Sequence, residues 1–267
     1  MMKECFPGLK EKAVYPQASN LVGHSESQFA LSLTMDEIPR SKGLHTTMRI
    51  TRRDSRDMPL DRLTIRVLKR AFDVIGAVIV IAIVFPWLIP IVGLCITMDS
   101  PGPIFFLQKR NGRNGAPFTC LKFRSMRLNR QSDIAPASQD DPRITRVGRI
   151  LRSYCIDEFP QFFNVLKGDM TLVGPRPHMI EENQIFSRSI PGYAFRFRVK
   201  PGITGLGQLQ SHTRGTRLER MTDRTYWDAF YMLNWSVKME MKILLTTLVF
   251  CYHGGNKGSS AMVRSRV

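Results

Sequence analysis

The feature that most constrains this chain is an uninterrupted run of 25 residues without a formal charge. The run extends from Val74 to Met98 and is bounded by Asp73 and Asp99. A helix of this length can cross the hydrocarbon core of a bilayer, which is about 30 Å thick. A pair of helices buried in a soluble protein is the alternative, although 25 uncharged residues are long for such an element.

Two features of this run argue against a simple crossing. Pro86 lies in its middle and Pro90 one turn later, and each removes a backbone donor and favours a bend. Both flanks are basic, so the positive-inside rule places both ends in the cytoplasm. The sequence therefore predicts a helix that enters the membrane, breaks at Phe85 and Pro86, and returns to the same face. The flanking cations are Arg62, Arg66, Lys69, Arg70, Lys109, Arg110 and Arg113.

The positive charge of the chain is concentrated after residue 100. The 267 residues include 39 Lys and Arg against 22 Asp and Glu, a formal net charge of +17. Residues 101–267 hold 26 basic and 12 acidic side chains, which accounts for +14 of that excess. Such an excess predicts an anionic partner: nucleic acid, an anionic membrane surface or a phosphorylated substrate. The five cysteines form no C-x-x-C pair, which favours a reducing compartment over a disulfide framework.

Composition divides the chain into four parts. Residues 1–60 show no sustained period of 2 or 3.6 and predict a mobile N-terminal extension. Residues 61–100 contain a basic flank and the membrane segment. We expect the folded domain at residues 101–252 and a basic C-terminal tail at residues 253–267.

Within the folded domain the pattern predicts helices and a short hairpin. Residues 104–106 and 118–123 are typical of strands on either side of the Gly112–Gly115 turn. Residues 144–152 form a basic amphipathic helix, which either lies in a membrane interface or packs on a soluble core. The uncharged stretch 243–252 is too short to span a bilayer and predicts a core or interfacial helix.

The adjacent acidic residues Asp157 and Glu158 are the first candidates for chemistry. They precede Pro160, which suits the first turn of a helix, so both carboxylates are expected at a helix start. Arg152 lies five residues upstream and could help to hold a phosphate there. Helix capping is the structural alternative for acidic residues at this position.

Two stiff turns and two further cations add to this pair. The segment Gly174-Pro175-Arg176-Pro177 presents one arginine between prolines, and Lys200-Pro201-Gly202 places a lysine at the start of a second turn. Lys122 and Arg124 lie on the second predicted strand. Each feature alone is usually a structural turn or a solvated charge. Together they outline a pocket for a diphosphate beside the carboxylates. P-loop and Rossmann glycine motifs are absent from the sequence, which disfavours those modes of nucleotide binding.

From about Leu68 to Phe250 the sequence resembles the bacterial sugar transferases, which are monotopic polyprenyl-phosphate hexose-1-phosphate transferases of the phosphoglycosyl transferase superfamily. The number of motifs in the same order makes the resemblance specific. The matching segments are Lys69-Arg70-Ala71-Phe72-Asp73, Ser100-Pro101-Gly102-Pro103, Lys122-Phe123-Arg124-Ser125-Met126, Leu151-Arg152-Ser153, Asp157-Glu158-Phe159-Pro160-Gln161, Asn164-Val165-Leu166-Lys167-Gly168-Asp169-Met170, Val173-Gly174-Pro175-Arg176-Pro177 and Lys200-Pro201-Gly202-Ile203-Thr204-Gly205.

The resemblance implies an α+β fold and a ping-pong reaction. The fold would combine a re-entrant helix-break-helix in the membrane with a mainly helical cytosolic catalytic domain, amphipathic interfacial helices and a short β-hairpin. Asp157 would attack a UDP-hexose, release UMP and hold a phosphosugar-aspartyl intermediate, which undecaprenyl phosphate would then resolve. The product would start exopolysaccharide, capsule or O-antigen synthesis.

The resemblance also implies the site and its surroundings. Glu158 completes the catalytic pair, and Mg²⁺ is expected at Asp157. The enzyme is expected on the cytoplasmic face of the bacterial inner membrane, in contact with membrane lipid and without nucleic acid. Glucose and galactose are the favoured hexoses, and the resemblance is compatible with a homodimer. The implied phosphate-binding and substrate-binding residues are Lys122, Arg124, Arg152, Gly174, Pro175, Arg176, Lys200 and Gln208.

A non-enzymatic, basic protein that binds membranes or nucleic acid is the competing hypothesis. It explains the charge of +17 and predicts salt-sensitive affinity for nucleic acid. It explains neither the uncharged run nor the arginine between two prolines.

Overall fold

The computed structural model describes residues 58–128, 141–211 and 215–253. Within these ranges the chain is mainly helical, with two small sheets. The predicted extension at 1–60 lies outside them except for its last three residues, and the predicted tail lies outside them after residue 253. The described helices are α1 (Leu63–Asp99), α2 (Arg146–Ser153), α3 (Gln161–Lys167), α4 (Ile180–Ser189), α5 (Leu206–Gln210), α6 (Arg217–Leu233) and α7 (Val237–Tyr252), with 3-10 turns at Pro59–Asp61, Arg113–Gly115, Ile156–Glu158 and Tyr193–Arg198.

Helix α1 contains the uncharged run. Among the described residues, only this helix is long and apolar enough to cross a membrane by length and composition. The predicted break at Phe85 and Pro86 is not confirmed, because α1 is continuous through both internal prolines. A proline costs an interior helix about 3 kcal/mol. Packing opposes that cost here, since the ring of Phe85 is buried against Phe162 and Phe163 of α3, at centroid distances of 6.5 and 5.1 Å.

Three polar side chains near its N-terminus fasten α1 to the rest of the fold. Lys69 forms an ion pair with Glu240 of α7. Arg70 donates to two backbone carbonyls at the C-terminal end of α3, at 2.6 and 2.9 Å. Asp73 accepts a hydrogen bond from the hydroxyl of Thr171 at 2.5 Å. The segment from Lys69 to Asp73 therefore attaches α1 to α3, α7 and Thr171.

The hairpin predicted around Gly112–Gly115 is confirmed. Strands β1 (Phe105–Asn111) and β2 (Pro117–Phe123) pair antiparallel over their whole lengths. Asn114 in the connecting turn has a φ of 55°, a left-handed conformation that asparagine tolerates better than most residues. Lys122 of β2 is thereby placed near the end of the hairpin.

The second sheet is parallel and joins the two glycine-proline turns. Strands β3 (Thr171–Val173) and β4 (Gly202–Thr204) pair so closely that a Cβ on Gly202 would lie 2.1 Å from the backbone nitrogen of Gly174. A Cβ on Gly174 would lie 2.8 Å from the carbonyl oxygen of Lys200. Glycine at both positions therefore lets the turns interlock.

Two hydrophobic clusters hold the elements together, and α1 contributes to both. The larger one brings α1 against β2, β3, α6 and α7, and the smaller one brings the C-terminal half of α1 against β2 and α2. Representative members of the larger cluster are Ala77, Phe118, Cys120, Val173, Tyr231, Met232 and Ile243, and the smaller contains Val92, Ile96, Phe123 and Leu151.

The opposite face of α1 is apolar and exposed. Eight large apolar side chains along it are between 48% and 79% exposed. A contiguous apolar surface of this extent marks a membrane or interaction site. The eight residues are Ile75, Val78, Ile79, Ile83, Trp87, Ile91, Leu94 and Met98, and further exposed apolar residues on α2, α3 and α7 include Ile150, Phe163, Leu245 and Leu248.

Candidate active site

The adjacent carboxylates lie on a tight turn between α2 and α3. Cys155 has a φ of 58°, and this left-handed residue reverses the chain before the 3-10 turn Ile156–Glu158. Pro160 immediately precedes α3, as its position in the sequence predicts. Neither the 3-10 turn nor α3 has a side-chain cap, so helix capping does not explain the two acidic residues.

Glu158 binds two cationic side chains. Lys122 Nζ donates to its Oε1 at 2.8 Å, and Arg176 Nη1 donates to its Oε2 at 2.9 Å. Arg176 Nη2 donates to Oε1 as well, so the arginine fork is bidentate. Burial opposes the charge of Glu158, but Arg176 and Lys122 outweigh it and lower the pKa of this carboxyl below its usual range.

Asp157 differs from its neighbour because no described residue donates a hydrogen bond to its side chain. The residue is only 9% exposed. Burial is the main reason that its pKa is raised to about 6, while Lys122 opposes the rise and Glu158 adds to it. The positive charge of Arg152, at the end of α2, also opposes the rise in the pKa of Asp157. The site therefore holds one carboxylate committed to cations and one that is available for reaction.

The position of Arg176 is fixed from two sides. Its Nη1 donates to Gln208 Oε1 of α5 at 2.7 Å, which brings in a residue expected at the site. Its backbone carbonyl accepts a hydrogen bond from Arg196 Nη2 at 2.8 Å, and the same nitrogen donates to Asp228 Oδ2 of α6 at 2.9 Å. Arg196 and Asp228 form a buried ion pair that the sequence did not predict, because the two residues are 32 positions apart and no motif marks either of them.

Gly174 and Pro175 shape the turn that carries Arg176. Gly174 N donates to the carbonyl of Thr204 at 2.8 Å, and Gly202 N donates to the carbonyl of Pro175 at 3.0 Å. These bonds cross between the two glycine-proline turns, so the second turn supports the first.

Two expected phosphate-binding cations lie elsewhere. Arg124 is buried and donates to the carbonyls of Ser100 at 2.5 Å and Pro101 at 2.6 Å, beyond the C-terminal end of α1. Lys200 lies near Arg70 and Gly168 at the end of α3, and burial together with the charge of Arg70 lowers its pKa. The structure thus brings together Asp157, Glu158, Lys122, Arg152, Arg176 and Gln208, and separates Arg124 and Lys200 from them.

A narrow recess beside Arg176 contains residues that the sequence did not single out for the site. Arg110 lies there, and its guanidinium is held by Gln108 and by the backbone carbonyl of Pro177. Burial is the main cause that lowers the pKa of Arg110, and the charge of Arg176 lowers it further. The recess is lined by Arg110, Cys120, Lys122, Gln161, Arg176 and Pro177.

Comparison with known proteins defines the class of this site. The family described as "Bacterial sugar transferase" matches residues 64–254, which include every residue brought together here. The chain therefore belongs to the bacterial sugar transferase family.

Three relatives illustrate the range of the similarity. A UDP-glucose:undecaprenyl-phosphate glucose-1-phosphate transferase of Caulobacter vibrioides is 44% identical over 192 residues, covering 71% of this chain and 72% of that protein. The protein of the same description from Escherichia coli is 42% identical over 194 residues, covering 72% of this chain but only 41% of the relative. The exopolysaccharide production protein PSS of Rhizobium leguminosarum bv. phaseoli is 41% identical over 189 residues, covering 68% of this chain and 94% of that protein.

Proposed function

We propose that this protein transfers a hexose-1-phosphate from a UDP-hexose to undecaprenyl phosphate and releases UMP, as the initiating step of exopolysaccharide, capsule or O-antigen synthesis. The names of the relatives support both substrates, and glucose is the first hexose to test. The observation that carries the proposal is the contrast between Asp157, which is buried and unbonded among the described residues, and Glu158, which holds Lys122 and Arg176.

This contrast assigns different roles to the two carboxylates. An Asp157 oxygen attacks the sugar-linked phosphorus, and the bond from that phosphorus to the bridging oxygen breaks, so UMP leaves with the electron pair. An oxygen of undecaprenyl phosphate then attacks the same phosphorus and the carboxylate of Asp157 leaves. Glu158 does not attack in this scheme. It keeps Lys122 and Arg176 where they neutralise the phosphoryl charge.

The raised pKa of Asp157 suits both half-reactions. With a pKa of about 6, the carboxylate is mostly ionised at pH 7 and is a stronger base than an ordinary aspartate. It remains a good leaving group, because its pKa is still several units below that of an alcohol or water.

Mg²⁺ is the expected cofactor, and Asp157 is its proposed ligand. Among the described residues no group of three His, Cys, Asp or Glu side chains forms a metal cluster. Mg²⁺ is nevertheless commonly held by one or two carboxylates plus substrate phosphates. Asp157 fits that role because Glu158 is already bonded to two cations. The ion would neutralise charge on the donor diphosphate.

We propose that α1 stays helical but bends at its internal prolines, Pro86 and Pro90, so that it enters one leaflet from the cytoplasmic face and returns to it. Asp73 near one end bonds β3, Phe85 in the middle packs on α3, and Asp99 at the other end accepts the amide of Val147 in α2 at 2.8 Å. If α1 crossed the bilayer, the elements that contact its two ends would have to lie on opposite sides of the membrane. The exposed apolar face would then lie in lipid, together with the apolar residues of α2, α3 and α7.

The decisive test uses purified wild-type protein and Asp157→Asn in membranes or detergent. Wild type should release UMP from UDP-glucose, and mass spectrometry after incubation with donor alone should find the phosphosugar on the peptide that contains Asp157. The asparagine variant should do neither while remaining folded. UMP release by this variant at the wild-type rate would refute the assignment of the nucleophile.

The membrane arrangement needs a separate test. Single cysteines placed before Asp61 and after Met98 should both be shielded from an impermeant thiol reagent in intact cells. Labelling at one end only would show that α1 crosses the bilayer.

A further inference from the structure

Two cationic side chains border the same open space above Gly168. This glycine follows the last residue of α3 and has a φ of 95°, a conformation that favours glycine. A Cβ on Gly168 would lie 3.6 Å from Lys200 Nζ and 3.7 Å from Arg70 Nη2. Apart from the chain neighbours of Gly168, no other described side chain comes within 4 Å of that point. The two nitrogens therefore line one small niche.

Arg70 is fixed by the fold but keeps free donors. Its Nη1 and Nη2 donate to the carbonyls of Val165 and Leu166, at 2.6 and 2.9 Å. A guanidinium has five N–H groups, so these two bonds leave some of them for another acceptor. No carboxylate of the described residues bonds Arg70. The cation is therefore held at the C-terminal end of α3 without an acid bound to it.

Lys200 has no hydrogen-bond or ion-pair partner within the described ranges. Asp73 and Asp169 attract it electrostatically. However, Asp73 is hydrogen-bonded to β3, and Asp169 forms an ion pair with Lys167 at 3.0 Å. Burial and the charge of Arg70 outweigh the attraction and lower the pKa of Lys200. An anion in the niche would accept hydrogen bonds from both cations and relieve their repulsion.

The niche lies at the level of the lipid headgroups in the proposed membrane arrangement. Arg70 precedes Val74, the first residue of the uncharged run, by four positions, which is about 6 Å along a helix. Val67 and Leu68 in the preceding turn are apolar and exposed. Cations directly beside a membrane segment attract anionic lipids of the cytoplasmic leaflet. A lipid phosphate is therefore the anion that this position favours.

Helix α3 separates the niche from the catalytic carboxylates. Asp157 and Glu158 precede α3, whereas Gly168 follows it. The seven residues of this helix span about 10 Å. The phosphate of the acceptor must reach the phosphorus bound to Asp157. The niche therefore suits a phospholipid that is not a substrate.

We propose that Arg70 and Lys200 bind the headgroup phosphate of an anionic phospholipid above Gly168. The proposal rests on the proposed membrane position of α1. Lysine and arginine both form charge-assisted hydrogen bonds to phosphate oxygens. Lys200, which the sequence placed in the substrate pocket, thus belongs to a separate lipid site at the cytoplasmic end of α1.

The test compares wild type with Lys200→Gln, both as full chains freed of lipid in detergent. Phosphatidylglycerol is titrated, and its binding is measured by native mass spectrometry. The affinity of Lys200→Gln should be about 10-fold lower, the loss expected for one charged hydrogen bond. Lys200→Arg keeps the charge and should lose less. Lys109→Gln, which removes an exposed lysine of β1, is the matched control and should bind like wild type.

A melting measurement separates lipid binding from a structural role. Without lipid, Lys200→Gln should melt at or above the wild-type temperature, because Lys200 has no bonded partner in the described chain and is repelled by Arg70. The stabilisation that phosphatidylglycerol gives to wild type should shrink in this variant. Diacylglycerol with the same acyl chains lacks the phosphate and should affect both proteins equally. A variant that melts well below wild type without lipid would show a structural role and overturn the proposal.

The other outcomes are distinct. Equal affinity of wild type and Lys200→Gln for phosphatidylglycerol overturns the site, and so does an equal loss in Lys109→Gln. Binding of inorganic phosphate, or of undecaprenyl phosphate alone, that depends on Lys200 as phosphatidylglycerol was expected to overturns the phospholipid assignment. If wild type releases no UMP from any UDP-sugar, the proposed function fails, but the titration with phosphatidylglycerol still tests Lys200.

Discussion

Replacing Asp157 with asparagine should make the folded protein more stable while removing its activity. Burial raises the pKa of this carboxyl from an ordinary value of 3.8 to about 6. A shift of about 2 units corresponds to about 3 kcal/mol, at about 1.4 kcal/mol per unit. Ionised Asp157 therefore costs the folded state about 3 kcal/mol at neutral pH, and asparagine removes that cost.

The sign and the pH window follow from proton linkage. Between about pH 4 and pH 6 the folded state binds more protons than the unfolded state, so this group makes stability fall as pH rises through that window. The advantage of Asp157→Asn should be full above pH 7, about half as large at pH 5, and about a fifth as large near pH 4. For a protein of this size, about 3 kcal/mol corresponds to a rise in melting temperature of roughly 6 to 12 °C.

Thermal melts in one detergent without Mg²⁺, followed by tryptophan fluorescence at pH 7.5, 5 and 4, measure this directly. Glu158→Gln is the matched control, because Arg176 and Lys122 lower the pKa of Glu158 and its charge stabilises the fold. Loss of one partner of such a buried pair costs about 3 to 5 kcal/mol, so this control should melt lower at pH 7.5. An asparagine variant that melts below wild type, or whose advantage is the same at every pH, would refute the reasoning.

Three further predictions concern neighbouring features. The rate of UMP release in the donor half-reaction should fall as the pH drops through the acid range, because Asp157 must be ionised to attack and burial raises its pKa; a rate that stays constant down to pH 4 would contradict this. Arg176→Lys should lower turnover about 100- to 1000-fold with little change in KM for the acceptor, because lysine cannot replace the bidentate contact with Glu158. Steady-state kinetics would measure this loss, and near-normal turnover would contradict the proposed site. Gly202→Ala should reduce the yield of folded protein in size-exclusion chromatography, because its Cβ would meet the backbone of Gly174 at 2.1 Å; a normal elution profile and melt would contradict the interlocked turns.

Local signals in the sequence predicted the elements that depend on neighbouring residues. The hairpin followed from two β-rich stretches and a glycine turn, and the start of α3 followed from Pro160. The expected break at Phe85 and Pro86 was not confirmed, because the aromatic packing of Phe85 on α3 is a tertiary contact that local proline chemistry does not reveal.

Tertiary contacts also decide which of the predicted residues reach the site. Lys122 and Arg124 are two residues apart on the same stretch of sequence, yet Lys122 bonds Glu158 while Arg124 bonds backbone carbonyls beyond the end of α1. The sequence contains no signal that separates them, because the difference is which neighbour each side chain meets. The same holds for Arg196 and Asp228, a buried pair separated by 32 residues and marked by no motif.

The sequence by itself determined that this chain has a membrane-compatible apolar segment, an excess of cations after residue 100, and two adjacent carboxylates. These properties are additive or local, so they can be read along the chain. Only the tertiary structure decided that Glu158 binds two cations, that Asp157 is left unbonded by the described residues, and that Arg196 and Asp228 form a buried ion pair. Burial and ion pairing depend on distances between residues that are remote in sequence, and those distances exist only once the chain has folded.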